Sequence, residues 1–301
     1  MSLFTPLPSF AIRHNNKCLD LSRPHIMGIL NVTPDSFSDG GRYDTVAAAV
    51  ARCKQMLQEG ATIIDIGGES TRPHATPVDS EEELRRVVPV VQAIRAQLGD
   101  EVWLSIDTSS PAVIQAAAQA GADIWNDVRA LKRPGAAAMA AQLNLPVMLM
   151  HMRGEPSSMD GLDTYEDVVA EVMAELQERI EVALAAGVSP EQLIIDPGFG
   201  FAKNHAQHAE LLIHLARFKN LGLPLMFGIS RKRFLGEVLD HSTIPALANQ
   251  QKEARDPIGA AAALLAVQQG ASIIRTHNVA MTAQGLALWM QLSEYNHGHH
   301  A

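Results

Sequence analysis

Residues 193–203 read LIIDPGFGFAK, an apolar run that stops on a carboxylate, Asp196, and passes at once into a Pro/Gly-rich loop. A parallel strand buried on both faces reads as a near-continuous Val/Ile/Leu/Met run, so a charge confined to its C-terminal end marks an end that faces something other than core. The same pattern recurs along the chain. Other apolar runs close on Asn31, Asp65, Asp107, Asn126, His151, Ser230 with Lys232, and Arg275 with His277. Polar groups gathered at one end of successive strands define a shared rim, and in a β/α barrel the rim at the C-terminal strand ends carries the chemistry. The loop after Asp196 is a poor dinucleotide loop: Gly198 and Gly200 lack the third glycine of that fingerprint, and no Walker pattern is present.

Working outward, the strand candidates are 25–31, 61–66, 102–107, 122–127, 146–151, 193–196, 224–230 and 272–277. Between them, 47–60, 80–99, 111–121 and 166–187 carry apolar residues at three- and four-residue spacing and end at Gly, the signature of crossover helices. Ser110 before Pro111 reads as an N-cap followed by a first-turn proline. Eight such units predict an α/β protein, a single (β/α)8 TIM barrel (25–296) with a short N-terminal lead-in (1–24, irregular or hairpin) and a C-terminal tail (297–301). The 301 residues suit one barrel of ~250 residues with additions at its ends.

At 47% hydrophobic the chain can fill such a core without disulfides or a structural metal, and Cys18 and Cys53 read as separate reduced thiols. The net charge of −9 argues against a broad nucleic-acid or anionic-membrane surface, so an anionic ligand must meet locally concentrated cations. No membrane span or signal-peptide pattern is read, and the expected location is the cytoplasm. His297, His299 and His300 fit a frayed end better than a metal trap.

Two long polar loops follow the first two strands. Residues 28–41 and 65–73 are rich in Gly, Ser, Asp and Pro; each is a loop that closes on a ligand or an ordinary surface turn, and Arg72 either forks onto an oxyanion or pairs with Glu69. Asp107, Asn126 and Asp196 end the third, fourth and sixth strands, where two carboxylates and an amide can converge on the edge of a heteroaromatic ring. Ser230, Arg231 and Lys232 close the seventh strand, and Arg275 and His277 the eighth, the region that often handles phosphate. Period two puts Arg275 and His277 on one side and Thr276 on the other. Met150 and Met152 suit core or pocket wall, His151 reads as structural, and the Ala-rich 258–267 suits helix packing or a subunit contact. On the residues alone a phosphate-sugar isomerase or a lysine-dependent aldolase stays open.

Eight stretches, GILNVTPDSFSDGG (28–41), IIDIGGESTRP (63–73), SIDT (105–108), WNDV (125–128), MLMHMRGEP (148–156), IIDPGFGFAKN (194–204), GISRKRFLG (228–236) and IIRTHNV (273–279), stand in family order and resemble the dihydropteroate synthase family of pterin-binding barrels. The resemblance runs from about His25 to Val279. It implies condensation of (7,8-dihydropterin-6-yl)methyl diphosphate with 4-aminobenzoate, giving 7,8-dihydropteroate and diphosphate. It also implies Asp107, Asn126, Met150, Asp196, Phe201 and Lys232 as pterin contacts, and Asn31, Arg72, Arg275 and His277 as diphosphate contacts, with Mg²⁺ at Asn31. Thr71, Arg72, Pro73, Phe201, Ser230, Lys232 and Phe37 would border 4-aminobenzoate; Asp107, Asp196, Lys232, Arg275, His277 and the loop residue Asp35 would carry catalysis. A homodimer is implied in the same way. His74 stands where the family commonly has Gly, and Asn278 where it commonly has Asp, a change that removes a charge able to orient His277 or a metal. A pterin-dependent methyltransferase or a silent pterin-binding paralogue would share the ring contacts; the first would not need the Ser-Arg-Lys and Arg-x-His cations, and the second would lack loop or diphosphate residues.

Overall fold

The computed structural model describes residues 6–33, 42–69, 78–159, 161–249 and 251–298. The lead-in is a hairpin: β1 (Ala11–His14) pairs antiparallel with β2 (Lys17–Asp20). Then β3 (His25–Asn31), β4 (Ile63–Gly67), β5 (Trp103–Asp107), β6 (Ile124–Asp127), β7 (Val147–Met150), β8 (Leu193–Asp196), β9 (Leu225–Phe227) and β10 (Ala271–Thr276) follow. These eight pair in parallel and in order, and β10 closes on β3. The helices are α1 (Arg42–Gln58), α2 (Ser80–Leu98), α3 (Pro111–Gln119), α4 (Ala136–Leu143), α5 (Val168–Ala185), α6 (His205–Ile213), α7 (Arg233–Asp240), α8 (Asp256–Gln268) and α9 (Val279–Gly298). The expected TIM barrel is therefore the observed one.

The strand residues sort into two cores by period two. Ile64, Ile66, Leu104, Ile106, Trp125, Val147, Leu149, Ile195 and Ile274 face outward into the large cluster under the helices. Met27, Ile63, Trp103, Ile124, Met148, Ile194, Met226 and Ile273 point inward and meet Ile12, Leu19 and Leu21 of the lead-in, which stopper the N-terminal end of the barrel. Outside that plug, Lys17 pairs with Asp123, which also takes Arg95 Nη2 at 2.5 Å, so the hairpin is pinned by charge as well as by burial.

Some boundaries differ from the sequence reading. Most expected strands are trimmed: 224–230 shortens to Leu225–Phe227, because Gly228 onward turns toward the rim, and 146–151 ends at Met150. Helix α9 runs to Gly298, across the expected tail boundary at 297. Ser110 occupies the N-cap position of α3, yet its hydroxyl makes no cap bond and meets Ser80 Oγ at 2.9 Å instead. Sequence spacing had not singled out α6, whose start is a capping box formed by Asn204 and Gln207. No helix among the described residues is long and apolar enough to cross a membrane.

Candidate active site

Counting by twos upward from the plug layer generates the site. From Ile63 the next inward positions are Asp65 and Gly67; from Trp103, Ser105 and Asp107; from Ile124, Asn126; from Met148, Met150; from Ile194, Asp196; from Ile273, Arg275. Apolar side chains fill the lower barrel and polar ones its mouth, because each strand changes from Ile, Trp or Met to Asp, Asn or Arg within two to four residues.

Arg275 spans the opening. Its Nε donates to Asp65 Oδ2 at 2.6 Å and its Nη2 to Asp107 Oδ2 at 2.7 Å, while Asn126 Nδ2 donates to Asp65 Oδ2 at 3.1 Å. Asp65 has no exposed surface, and burial drives Asp107 above the carboxylate range, opposed by Arg275 and reinforced by Asp65. Asp65 Oδ1, Asn126 Oδ1 and Ser105 Oγ are buried there without a partner. Orphaned buried acceptors are costly, so this floor is built to receive hydrogen-bond donors. Gly67 lies between Asn31 and Asp107: a Cβ there would make ordinary contact with Asn31 Oδ1 at 3.5 Å and Asp107 Cβ at 3.6 Å, which places Asn31 beside Asp107 at the rim.

Asp196 and Lys232 form a second group of charges. Asp196 Oδ1 accepts from Gly198 N at 2.8 Å, and burial raises its pKa against the pull of Lys232. Lys232 Nζ donates to Phe199 O and lies 4.4 Å over the Phe201 ring; burial pushes it down to about 8, with Asp196 opposing. Its approach is set by Arg231, held in the left-handed region at φ 60° by a two-pronged pair with Asp256 at 2.8 Å on each prong. Phe201 joins Met150, Met152, Met159, Val128 and Ala202 in an apolar wall beside the lysine. Unpartnered acceptors, a lysine ammonium and an apolar wall gathered at the strand ends suit a polar heterocycle.

At the β9–β10 side, Ser230 Oγ meets His277 Nδ1 at 3.0 Å and accepts from His277 N at 3.1 Å. His151, read as structural, is: its ring bridges Glu175 and Lys203, and burial keeps it neutral at about 3. Glu69 pairs with Arg129 at 3.3 Å. Asn278 serves the start of α9 and the Asp256 carboxylate. It accepts from Met281 N at the start of α9 and donates to Asp256 Oδ2 at 3.0 Å, where an Asp would oppose a carboxylate. Asp35, Phe37, Thr71, Arg72, Pro73 and His74 lie outside the described residues.

The structure thus gathers Asn31, Asp107, Asn126, Met150, Asp196, Phe201, Ser230, Lys232, Arg275 and His277 at the C-terminal ends of the strands. Two members were missed as site residues. Asp65 carried a signal, being a strand-ending carboxylate; Lys203 carried only its place in the loop after Asp196.

A family model described as pterin binding enzyme matches residues 27–277, and the chain belongs to that family. A dihydropteroate synthase from Haemophilus influenzae is 49% identical over 276 residues, 91% of this chain and 96% of that protein. A Xanthomonas albilineans dihydropteroate synthase with 4-aminobenzoic acid superposes with a TM-score of 0.86 at 47% identity, covering 95% of this chain and 98% of that one. The same organism's enzyme in complex with 7,8-dihydropteroate gives 0.81 at 46%, over 92% and 96%. Within the family the chain stands with the dihydropteroate synthases, which are transferases.

Proposed function

We propose that the chain joins (7,8-dihydropterin-6-yl)methyl diphosphate to 4-aminobenzoate, releasing diphosphate and forming 7,8-dihydropteroate. The observation that carries the reading is the set of buried, unpartnered acceptors at the barrel mouth, Asp65 Oδ1 and Asn126 Oδ1, framed by Asp107, Asp196 and Lys232. A pterin edge offers an amino group and a ring N–H, the donors such a floor lacks. Complexes of similar enzymes with 4-aminobenzoic acid and with 7,8-dihydropteroate support the same substrates.

The chemistry follows from charge. When the C–O bond breaks, its electron pair leaves with diphosphate and positive charge spreads from the methylene into the ring. Asp107 and Asp196 stabilise that ring, while Arg275 and His277 favour the departing anion. The aniline nitrogen then forms the C–N bond and loses a proton, so no protein nucleophile is needed. In this dissociative order, exclusion of water protects the cation until the weak nucleophile captures it.

Mg²⁺ fits the Asn31 side: the amide oxygen is a hard ligand that flanks Gly67 together with the Asp107 carboxylate, and Mg²⁺ favours one or two protein oxygens completed by phosphate and water. Once bound it would offset charge on diphosphate. Among the described residues no three His, Cys, Asp or Glu side chains converge to hold a metal. A homodimer in the cytoplasm completes the proposal, and the exposed Leu265, Leu288 and Leu292 on α8 and α9 support the pairing of two copies.

The test mixes purified protein, Mg²⁺ and both substrates and follows pteroate and diphosphate together; equimolar formation is expected, and neither product appearing would reject the reading. Lys232→Ala should lose turnover mainly through pterin affinity. Incubating bridge-labelled pterin diphosphate without aminobenzoate should scramble the oxygen label, and full retention in the bridge counts against the dissociative order.

A further inference from the structure

Lys203 is buried at the foot of the β8–α6 loop, and the three hydrogens of its ammonium meet three acceptors: Gly198 O at 3.1 Å, Phe201 O at 3.0 Å and His151 Nδ1 at 2.9 Å. Because Nδ1 accepts, His151 carries its ring hydrogen on Nε2, which reaches Glu175 Oε2 at 3.0 Å. Glu175 in turn receives Arg153 Nε at 2.8 Å, and that guanidinium lies 3.8 Å over the Tyr165 ring. A chain of contacts therefore runs from the loop, through the end of β7, to α5.

The two carbonyls gripped by Lys203 bracket the peptides that aim the ring-binding charges. Gly198 N donates to Asp196, Phe199 O accepts from Lys232, and Phe201 lies under the Lys232 ammonium. Gly198 is seated so closely that a Cβ would fall 1.9 Å from His151 O. Burial pushes Lys203 down to about 7, with Asp196 favouring its charge and Lys232 opposing it. Burying a second cation so near the first is a costly way to close a loop, which points to a demand on the loop's geometry.

We propose that Lys203, backed by His151 and Glu175, is a positioning residue for the pterin: it locks the Gly198–Phe201 loop so that Asp196 and Lys232 meet the ring in their working orientation. This rests on the pterin reading of Asp196 and Lys232 given above.

Steady-state kinetics on the full chain, with circular dichroism as the check of folding, compare Lys203→Met, His151→Leu and Lys232→Ala. Folded Lys203→Met should raise KM for the pterin diphosphate by about tenfold, with KM for 4-aminobenzoate within about twofold, because misorienting a grip costs on this scale. His151→Leu leaves Lys203 two of its three acceptors and should give a rise of roughly threefold in the same constant alone. Should Lys203→Met fail to fold, His151→Leu decides. Wild-type pterin KM in the folded variants, while Lys232→Ala has lost it, overturns the positioning role and leaves the pterin site standing. Equal rises for both substrates also overturn it, since a general loosening would do that. Wild-type pterin affinity in Lys232→Ala sinks the underlying reading and this inference with it.

Discussion

Glu83→Gln isolates the cost of one buried carboxyl at the foundation of the mouth. Glu83 lies in the first turn of α2, only 4% exposed, packed under Gly68, with Oε1 unpartnered. Burial raises its pKa from the ordinary 4.5 to about 7, with a bond to Thr108 opposing and Glu69 and Asp107 adding repulsion. Below pH 4.5 both folded and unfolded chains hold the proton, so the carboxyl is neutral in both. As pH climbs from 4.5 toward 7 the unfolded chain releases the proton first, and stability falls by about 1.4 kcal/mol per pH unit before levelling off. The full penalty is about 3 kcal/mol, part of which is already incurred below pH 5. Glutamine keeps the shape and never ionises. The stability of Glu83→Gln relative to the parent chain should therefore grow by about 2 kcal/mol between pH 5 and pH 8.5. Urea unfolding followed by tryptophan fluorescence at both values measures it. A difference constant to within about 0.5 kcal/mol, or one that grows toward acid, refutes the electrostatic account.

Arg275→Met should destabilise the fold by about 3–5 kcal/mol, because it strands Asp65 and Asp107 inside the barrel; adding Asp107→Asn should recover part of the loss in the same unfolding assay. Asn278→Asp removes the donor to Asp256 and should cost about 1–2 kcal/mol at pH 7, read as a lowered Tm, with the gap narrowing as the new carboxyl is protonated in acid. Gly198→Ala combines φ 72° with a contact the backbone cannot make, and a loss of at least about 3 kcal/mol is expected; a Tm equal to the parent's would show that the loop relaxes freely.

The barrel was legible because its signal is local. The His25–Asn31 and Leu193–Asp196 strands are bounded in the sequence by the same residues as in the structure, since Pro24 precedes one and Pro197 ends the other. Helix α6 was not, because the clearest mark of His205–Ile213 is a side-chain cap rather than an apolar stripe ending at Gly. The rim residues were found by the same alternation that builds the strands. Their partners were not: Arg275 reaches Asp65 and Asp107 across 210 and 168 positions of sequence, and no spacing rule spans a closed sheet. Arg275, assigned to diphosphate by resemblance, also holds two carboxylates of the ring floor, so one guanidinium links the ring floor to the side proposed for the departing anion. Asp65 was likewise passed over because a strand-end carboxylate declares its role only through what converges on it.

The hairpin that plugs the barrel precedes every strand it supports, whereas β10, which shuts the cylinder against β3, comes near the opposite end of the chain. A nascent polypeptide therefore makes the cork before the bottle. Ile12, Leu19 and Leu21 have no finished cavity to enter until residues 271–276 have been synthesised, so the closed barrel that buries them is completed only late in synthesis. Until then these side chains remain sticky ends, and substitutions there should reduce the yield of native protein more than the performance of molecules that have already matured.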